Sequence, residues 1–155
     1  GLSSAFIMKE YEGILTKVVV LAYFVPVVIA MGGNVGVQSS SIVIRGLATG
    51  EINFFDIRHR LFKELIVAIY NSLIASVILF LVIFIFWGDV QLAIVCCLSM
   101  IIAMLVAAIV GALVPFILKR LNIDPAIASG PFVTTSNDII GTMIYFIVAQ
   151  TLLQI

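Results

Sequence analysis

Residues 92–118 read LAIVCCLSMIIAMLVAAIVGALVPFIL, an apolar run without a single charged side chain. A helix needs roughly 20 mostly apolar residues to cross the hydrocarbon of a bilayer. Three further runs meet this requirement, so the sequence predicts membrane spans over about 14–46, 65–87, 92–118 and 126–153. The runs are continuously apolar rather than alternating, which argues against a membrane β-barrel. We therefore expect an all-α membrane protein, a bundle of four full transmembrane helices.

The composition of the whole chain leads to the same class of protein. Of its 155 residues, 63% are hydrophobic and 10% are charged, whereas soluble domains carry about 25% charged residues. A soluble domain of this size could not bury so much apolar surface, because small domains have a high ratio of surface to volume. The net charge of zero lacks the basic signature of nucleic-acid binding. No nucleophile–base pair or phosphate-binding loop is visible, so we do not expect an enzyme.

The ends and loops of the chain suggest its context and orientation. The sequence begins without Met, and residues 1–8 are mildly apolar, so we expect a piece of a longer protein that starts with a remnant of a preceding helix. Six of the eight Lys and Arg side chains lie in or near the polar segment 51–64 or directly follow the third span: Arg45, Arg58, Arg60, Lys63, Lys119 and Arg120. Cytoplasmic loops carry this excess of positive charge. We expect these loops inside the cell and the C-terminus outside.

Asp138 is the main candidate for a functional residue. It lies 12 residues past Ala126, or about 18 Å along a helix, near the middle of the last span. A carboxylate there costs on the order of 2.5–3.5 kcal/mol, and no Lys or Arg occurs between Leu121 and Ile155. Its partner is therefore a group on another helix, a proton or a mobile cation. The structural alternative is a protonated Asp that is hydrogen-bonded between helices.

The residues that share a helix face with Asp138 are small or carry hydroxyl groups. They stand three, four or seven positions away: Pro131, Thr134, Thr135, Gly141, Thr142 and Tyr145. Such a face suits a water-filled lumen, although small residues also let helices pack closely. Pro131 cannot donate to the carbonyl of Ile127, which would leave that oxygen free to face water or an ion.

The first span carries a second polar motif, GGNVGVQSSS at residues 32–41. Asn34, Gln38, Ser41 and Arg45 recur at helical spacing and form one polar stripe. Beside them lies a face of small residues that permits close approach of another backbone: Gly33, Gly36 and Ser40. The stripe is interpreted either as a pore wall or as polar contacts between helices.

These motifs resemble the two signatures of the MgtE family of magnesium channels and transporters. The first is Pro26 followed by residues 32–38 and RGLA at 45–48, and the second is DPA at 124–126 with SGPFVTT at 129–135, Asp138 and Gly141. The resemblance implies that residues 1–155 form the pore domain, which in this family is a homodimer with five helices per subunit. This chain matches the last four, and the cytoplasmic Mg2+ sensor with its CBS domains lies outside it.

The resemblance also implies roles for particular residues. Asp138 corresponds to the acidic ion-binding residue of the pore, and the backbone carbonyl of Thr134 helps to hold the hydrated ion. The region around Asn34 corresponds to the pore-lining second helix. The expected partners are a second copy, the bilayer of a bacterial or archaeal inner or plasma membrane, and Mg2+. Mn2+, Co2+ and Ca2+ remain alternatives, because oxygen ligands suit them all.

The first functional hypothesis is a passive channel for hydrated Mg2+. Two Asp138 carboxylates would face each other across a dimer axis, with Thr134 as a second contact to the ion. The predicted pore lining comprises Gly33, Asn34, Gln38, Pro131, Thr135 and Gly141. One alternative is a secondary transporter that couples divalent-cation movement to another ion, since such transporters also use buried acids. A further alternative is a membrane assembly subunit that transports nothing.

Overall fold

The computed structural model describes residues 2–12, 19–52, 57–128 and 130–153. These ranges contain no strand; their helices are α1 (Leu2–Glu10), α2 (Leu21–Thr49), α3 (Ile57–Trp87), α4 (Val90–Arg120) and α5 (Pro131–Leu153), with a 3-10 turn over Pro125–Ala128. The four helices α2 to α5 are long and apolar enough to cross a membrane. The prediction of an all-α bundle with four such helices is confirmed.

Two helices extend beyond the spans drawn from hydropathy. Helix α3 begins at Ile57, eight residues before the predicted start at 65, so the charged residues 58–64 are helical. A helix can continue through charged residues once it leaves the hydrocarbon, because Arg, Lys and Glu have high helix propensity. A hydropathy profile does not detect this part of the helix, because it reports only apolar residues. Helix α2 ends at Thr49, three residues past the predicted end. The first residues of that span, 14–18, lie outside the described residues.

The start of the fourth span differs from the prediction. A 3-10 turn precedes Gly130, whose φ of 47° is left-handed, and α5 begins only at Pro131. Proline fits the first turn of a helix, where its missing N–H would have no partner. Pro131 therefore begins α5 and does not interrupt a longer helix. The predicted loss of a helical hydrogen bond to the Ile127 carbonyl does not occur, because Ile127 is not in the same helix as Pro131. Asp138 stands seven residues into α5, about 10 Å from its start rather than 18 Å.

Helix α4 is the centre of the bundle and packs against α2, α3 and α5. Helix α2 also packs against α5, while α3 lies along α4 at the edge. In α4, 50% of the most apolar segment is buried, compared with 28% in α3. The largest fully buried side chains are Tyr145, Phe146, Leu21, Ile83, Met100 and Met104. The core therefore lies between α2, α4 and α5, and α3 presents most of its apolar surface outward.

Helices α3 and α4 are joined by a tight turn at Trp87-Gly88-Asp89, as the sequence suggests. Gly88 has a φ of 66°, a conformation that favours glycine. The Asp89 carboxylate accepts a hydrogen bond from the Leu92 N–H at 3.0 Å and so caps α4. This turn makes α3 and α4 antiparallel neighbours.

The backbones of α2 and α4 touch at Gly36 and Gly111. A Cβ added to Gly111 would lie 3.0 Å from Gly36 Cα and closer still to the Gly36 carbonyl. One turn earlier on α2, a Cβ on Gly32 would lie 3.7 Å from the Ala103 carbonyl oxygen. Small residues permit this approach, which is how membrane helices gain van der Waals contact. Gly32 and Gly36 of α2 therefore form a packing surface for α4.

Candidate functional site

Asp138 lies in the second turn of α5 and faces the glycine side of α2. Its Oδ1 is 3.9 Å from the point where a Cβ on Gly33 would lie, and Thr134 Cγ2 is 3.8 Å from the same point. The carboxylate can approach the α2 backbone because Gly33 has no side chain. Three of the residues predicted for the site, Gly33, Thr134 and Asp138, are thus neighbours in the fold.

Asp138 has no resident counter-charge among the residues that the structure describes. The one ion pair in these ranges joins Arg60 to Glu64. Asp138 is partly buried, and no group of three or more His, Cys, Asp or Glu side chains forms in the described ranges. A single carboxylate cannot replace the ligand shell of a bare divalent ion. It can, however, accept hydrogen bonds from the water of an ion that stays hydrated.

The hydroxyl groups of Thr134 and Thr142 each donate to the backbone carbonyl four residues earlier. Thr134 Oγ1 donates to the Gly130 carbonyl at 2.9 Å, and Thr142 Oγ1 donates to the Asp138 carbonyl at 2.6 Å. These bonds occupy the hydroxyl protons and leave oxygen lone pairs as acceptors. Thr134 is partly exposed and Thr142 is fully buried. Thr134 therefore presents an accepting oxygen on the same side as Asp138.

The polar face of α5 is shorter than the sequence suggests. Thr135 and Pro131 are exposed, whereas Gly141 is buried, with a Cβ position 4.0 Å from Ile29 Cα. Tyr145, which the helical spacing assigns to the same face, is fully buried and donates to the Leu21 carbonyl at 2.8 Å. The accessible part of this polar face is therefore the first two turns of α5, whereas Gly141 and Tyr145 pack against α2.

The predicted stripe on α2 lies away from Asp138 within one protomer. Asn34 and Gln38 are exposed and line a cavity of about 320 Å3. Asn71 of α3 lines the same cavity, and Asp138 does not. The structure of a single chain therefore separates Asn34 and Gln38 from the carboxylate. Their assignment as pore-lining residues stays a prediction.

Asn137 is a site residue that the sequence analysis does not identify. It is 3% exposed, and its side chain occupies the space that a Cβ on Gly36 would need. Neither Oδ1 nor Nδ2 has a hydrogen-bond partner in the part of the chain that the structure describes. The predicted face consists of residues three, four or seven positions from Asp138, so it leaves out Asn137, which stands directly before Asp138. The available signal is the polar amide itself, next to the acid and within an apolar helix.

Glu64 is a second buried polar residue that the sequence analysis places in a loop. It is 3% exposed and stands in the second turn of α3. Its Oε2 accepts a hydrogen bond from Ser39 Oγ at 2.7 Å, and its Oε1 accepts one from Arg60. The i, i+4 spacing of Arg60 and Glu64 is the sequence signal for such a pair. This cluster fastens α3 to α2 beside the glycine face.

Comparisons with known proteins identify relatives along the whole chain. A family model described as "MgtE: Divalent cation transporter" matches residues 25–148. Curated relatives called "Magnesium transporter MgtE" are 39% identical in Bacillus subtilis, 38% in Thermus thermophilus and 28% in Enterococcus faecalis, each over 99% of this chain. The aligned region is 34% of each relative. The chain therefore spans about a third of the length of the curated relatives that it matches.

Proposed function

The chain belongs to the MgtE family of divalent cation transporters, and from this we propose that it forms a channel for hydrated Mg2+. The observation that carries the proposal is the Asp138 carboxylate. It lies beside the α2 backbone at Gly33, in helices apolar enough to cross a membrane, without a basic partner among the described residues. An acid in such surroundings is costly and is by default functional. A passing cation supplies the charge that the protein does not.

The ion keeps its water shell while it passes this site. Mg2+ dehydrates reluctantly, and a single carboxylate with one hydroxyl oxygen nearby is suited to hold water rather than metal. Asp138 accepts hydrogen bonds from the shell, and the Thr134 oxygens contribute further acceptors. Because the carboxylate acts through its charge, a divalent ion gains about twice the attraction of a monovalent ion at equal distance.

A second copy of the chain completes the pore. One protomer offers one carboxylate, so it encloses nothing, whereas two protomers in two-fold symmetry would present two Asp138 side chains to one ion. The exposed stripe of α2 supports this arrangement. Asn34, Gln38 and Ser41 are all exposed in the single chain, and polar groups of this kind are costly against lipid. A water-filled dimer interface would satisfy them.

The test is Mg2+ flux into liposomes that contain the purified protein. We expect Asp138→Asn to lower flux on the order of a hundredfold, since one charge facing a hydrated divalent ion contributes about 3 kcal/mol at intermediate dielectric. The matched control is Asp89→Asn, which also removes one carboxylate but keeps an N-cap, because Asn caps as well as Asp. Flux in the control should equal that of the unmodified protein.

Two results would contradict the channel. Flux of Asp138→Asn equal to that of the control would remove the acid from the pathway and leave a membrane subunit of another kind. Flux that stops when a proton or sodium gradient is abolished, with the Mg2+ gradient unchanged, would instead indicate coupled transport. A channel requires flux that follows the Mg2+ gradient and membrane potential alone.

A further inference from the structure

A basic cavity lies between the end of α2 and the beginning of α3, away from Asp138. Its volume is about 360 Å3, and its lining residues are Ile42, Arg45, Gly46, Glu51, Ile52, His59, Arg60 and Lys63. We propose that this cavity binds the phosphodiester head group of an anionic phospholipid. The argument below depends on the cavity alone and not on the ion pathway.

The two helices direct their cations towards each other. Arg45 stands three residues after Ile42 on α2, Lys63 stands four residues after His59 on α3, and all four residues line the cavity. Arg60 lies on the same wall and is held by the buried Glu64. Its guanidinium is therefore positioned in advance, so less conformational freedom is lost when an anion binds.

The charges of the cavity leave an excess that matches one phosphodiester. Among its described lining residues, Arg45, Arg60 and Lys63 carry positive charge and Glu51 carries negative charge. Glu64 pairs with Arg60, so the formal excess among these described side chains is one positive charge. Neither Arg45 nor Lys63 forms an ion pair within the described ranges. A phosphodiester carries one negative charge, and Arg and Lys are the side chains that recognise phosphate oxygens.

The shape and position of the cavity favour a lipid over a free phosphate. The Ile52 N–H donates to the Gly46 carbonyl at 3.0 Å, and the Ile52 side chain covers Gly46, so this wall of the cavity is apolar. The volume is near the lower limit of ligand pockets, enough for a head group. The cavity stands where the apolar spans meet charged residues, which is the level of the head groups.

The outer surface of α3 continues from the cavity as an apolar track. Ile66, Val67 and Tyr70 stand three, four and seven residues beyond Lys63, on the same side of the helix. They are 38%, 43% and 66% exposed. A lipid whose phosphate contacts Lys63 would lay an acyl chain along these side chains. A soluble phosphate compound has no group that uses this surface.

The test measures lipid binding to the purified chain in a neutral detergent by native mass spectrometry. We expect phosphatidylglycerol to bind more tightly than phosphatidylcholine. The double change Arg45→Gln with Lys63→Gln should weaken the binding of phosphatidylglycerol by about thirtyfold. The matched control is Arg58→Gln with Arg120→Gln. This control removes the same charge from exposed positions outside the cavity and should change binding less than about threefold.

Several outcomes would overturn the proposal. An equal loss in the control pair would mean that a diffuse basic surface attracts the lipid, and unchanged binding in the cavity pair would remove the site. Displacement of phosphatidylglycerol by equimolar glycerol phosphate would identify a free phosphate site. If the cavity pair does not fold, the single exposed change Lys63→Gln decides, with an expected loss of about fivefold, and unchanged binding there counts against the proposal.

Discussion

Two acidic residues lie within the helical bundle, and their surroundings differ in one respect. Glu64 is almost completely buried, but Arg60 and Ser39 both donate to its carboxylate. Asp138 is only partly buried and has no basic partner in the described ranges. Burial alone would identify Glu64 as the unusual residue. The counter-charge shows instead that Glu64 is satisfied, and the lack of one at Asp138 among the described residues motivates the proposed cation site.

Mutations at Glu64 and at Asp138 should affect different properties, stability at Glu64 and transport at Asp138. A paired buried acid contributes to the free energy of unfolding, because removing either partner leaves a charge without compensation. An unpaired acid contributes little to stability, since it has few partners to lose. Mutations at the two positions should therefore have opposite profiles: a large loss of stability with intact flux at Glu64, and the reverse at Asp138.

The largest effect on stability is expected for Arg60→Ala. This change leaves the Glu64 carboxylate buried with Ser39 as its remaining donor, and we expect a loss of about 3–5 kcal/mol in the free energy of unfolding. Chemical unfolding in mixed micelles measures it. The double change Arg60→Leu with Glu64→Met is the control, since an apolar pair of similar volume should restore most of the loss. If the double change does not recover the free energy of unfolding, Arg60 and Glu64 contribute more than the neutralisation of each other's charge.

A smaller effect of opposite sign is expected for Asn137→Leu. The amide is buried without a partner in the described residues, and removing such a group recovers its desolvation cost of about 1–3 kcal/mol. Leucine has the same branching as asparagine but a larger volume, so we expect a net gain of about 1 kcal/mol. Thermal unfolding in detergent measures the change. A loss of stability would show that Asn137 has a partner, such as a bound water.

The smallest effect on stability is expected for Asp138→Asn. The carboxylate makes no ion pair within the described ranges, and asparagine has nearly the same shape, so the free energy of unfolding should change by less than about 1 kcal/mol. The same unfolding measurement, made beside the flux assay, sharpens the contrast with Arg60→Ala. A loss as large as that of Arg60→Ala would mean that Asp138 is a structural residue, and the comparison would fail.

The sequence predicts the helices well, because hydropathy measures the quantity that decides membrane insertion. It predicts their ends less well. The charged first turns of α3 and the 3-10 turn before Pro131 both depend on local backbone geometry, to which hydropathy does not respond. For this reason hydropathy predicts a loop at Glu64 and a position for Asp138 that is too far from the start of its helix.

The site itself is predicted in part. Residue chemistry singles out Asp138, the family resemblance adds Thr134, and Gly33 is among the predicted pore-lining residues; these three are neighbours in the fold. Asn34 and Gln38 line a different cavity in the single chain, since helical spacing fixes which residues share a face but not which neighbour that face meets. Asn137 is missed by the sequence analysis because its side chain fits only where Gly36 of another helix has no side chain. Contacts between helices are the information that one sequence does not contain.

The contact between Gly36 of α2 and Gly111 of α4 has a consequence for biosynthesis. These helices are not consecutive, so the ribosome releases α2 long before its partner surface exists. Membrane helices insert first and associate later, and α2 must wait in the bilayer with its glycines and amides facing lipid until two more segments have emerged. Since α4 covers these glycines, the nascent chain depends on its timely arrival, and slow translation between the two helices would prolong the interval in which the glycine face lies against lipid.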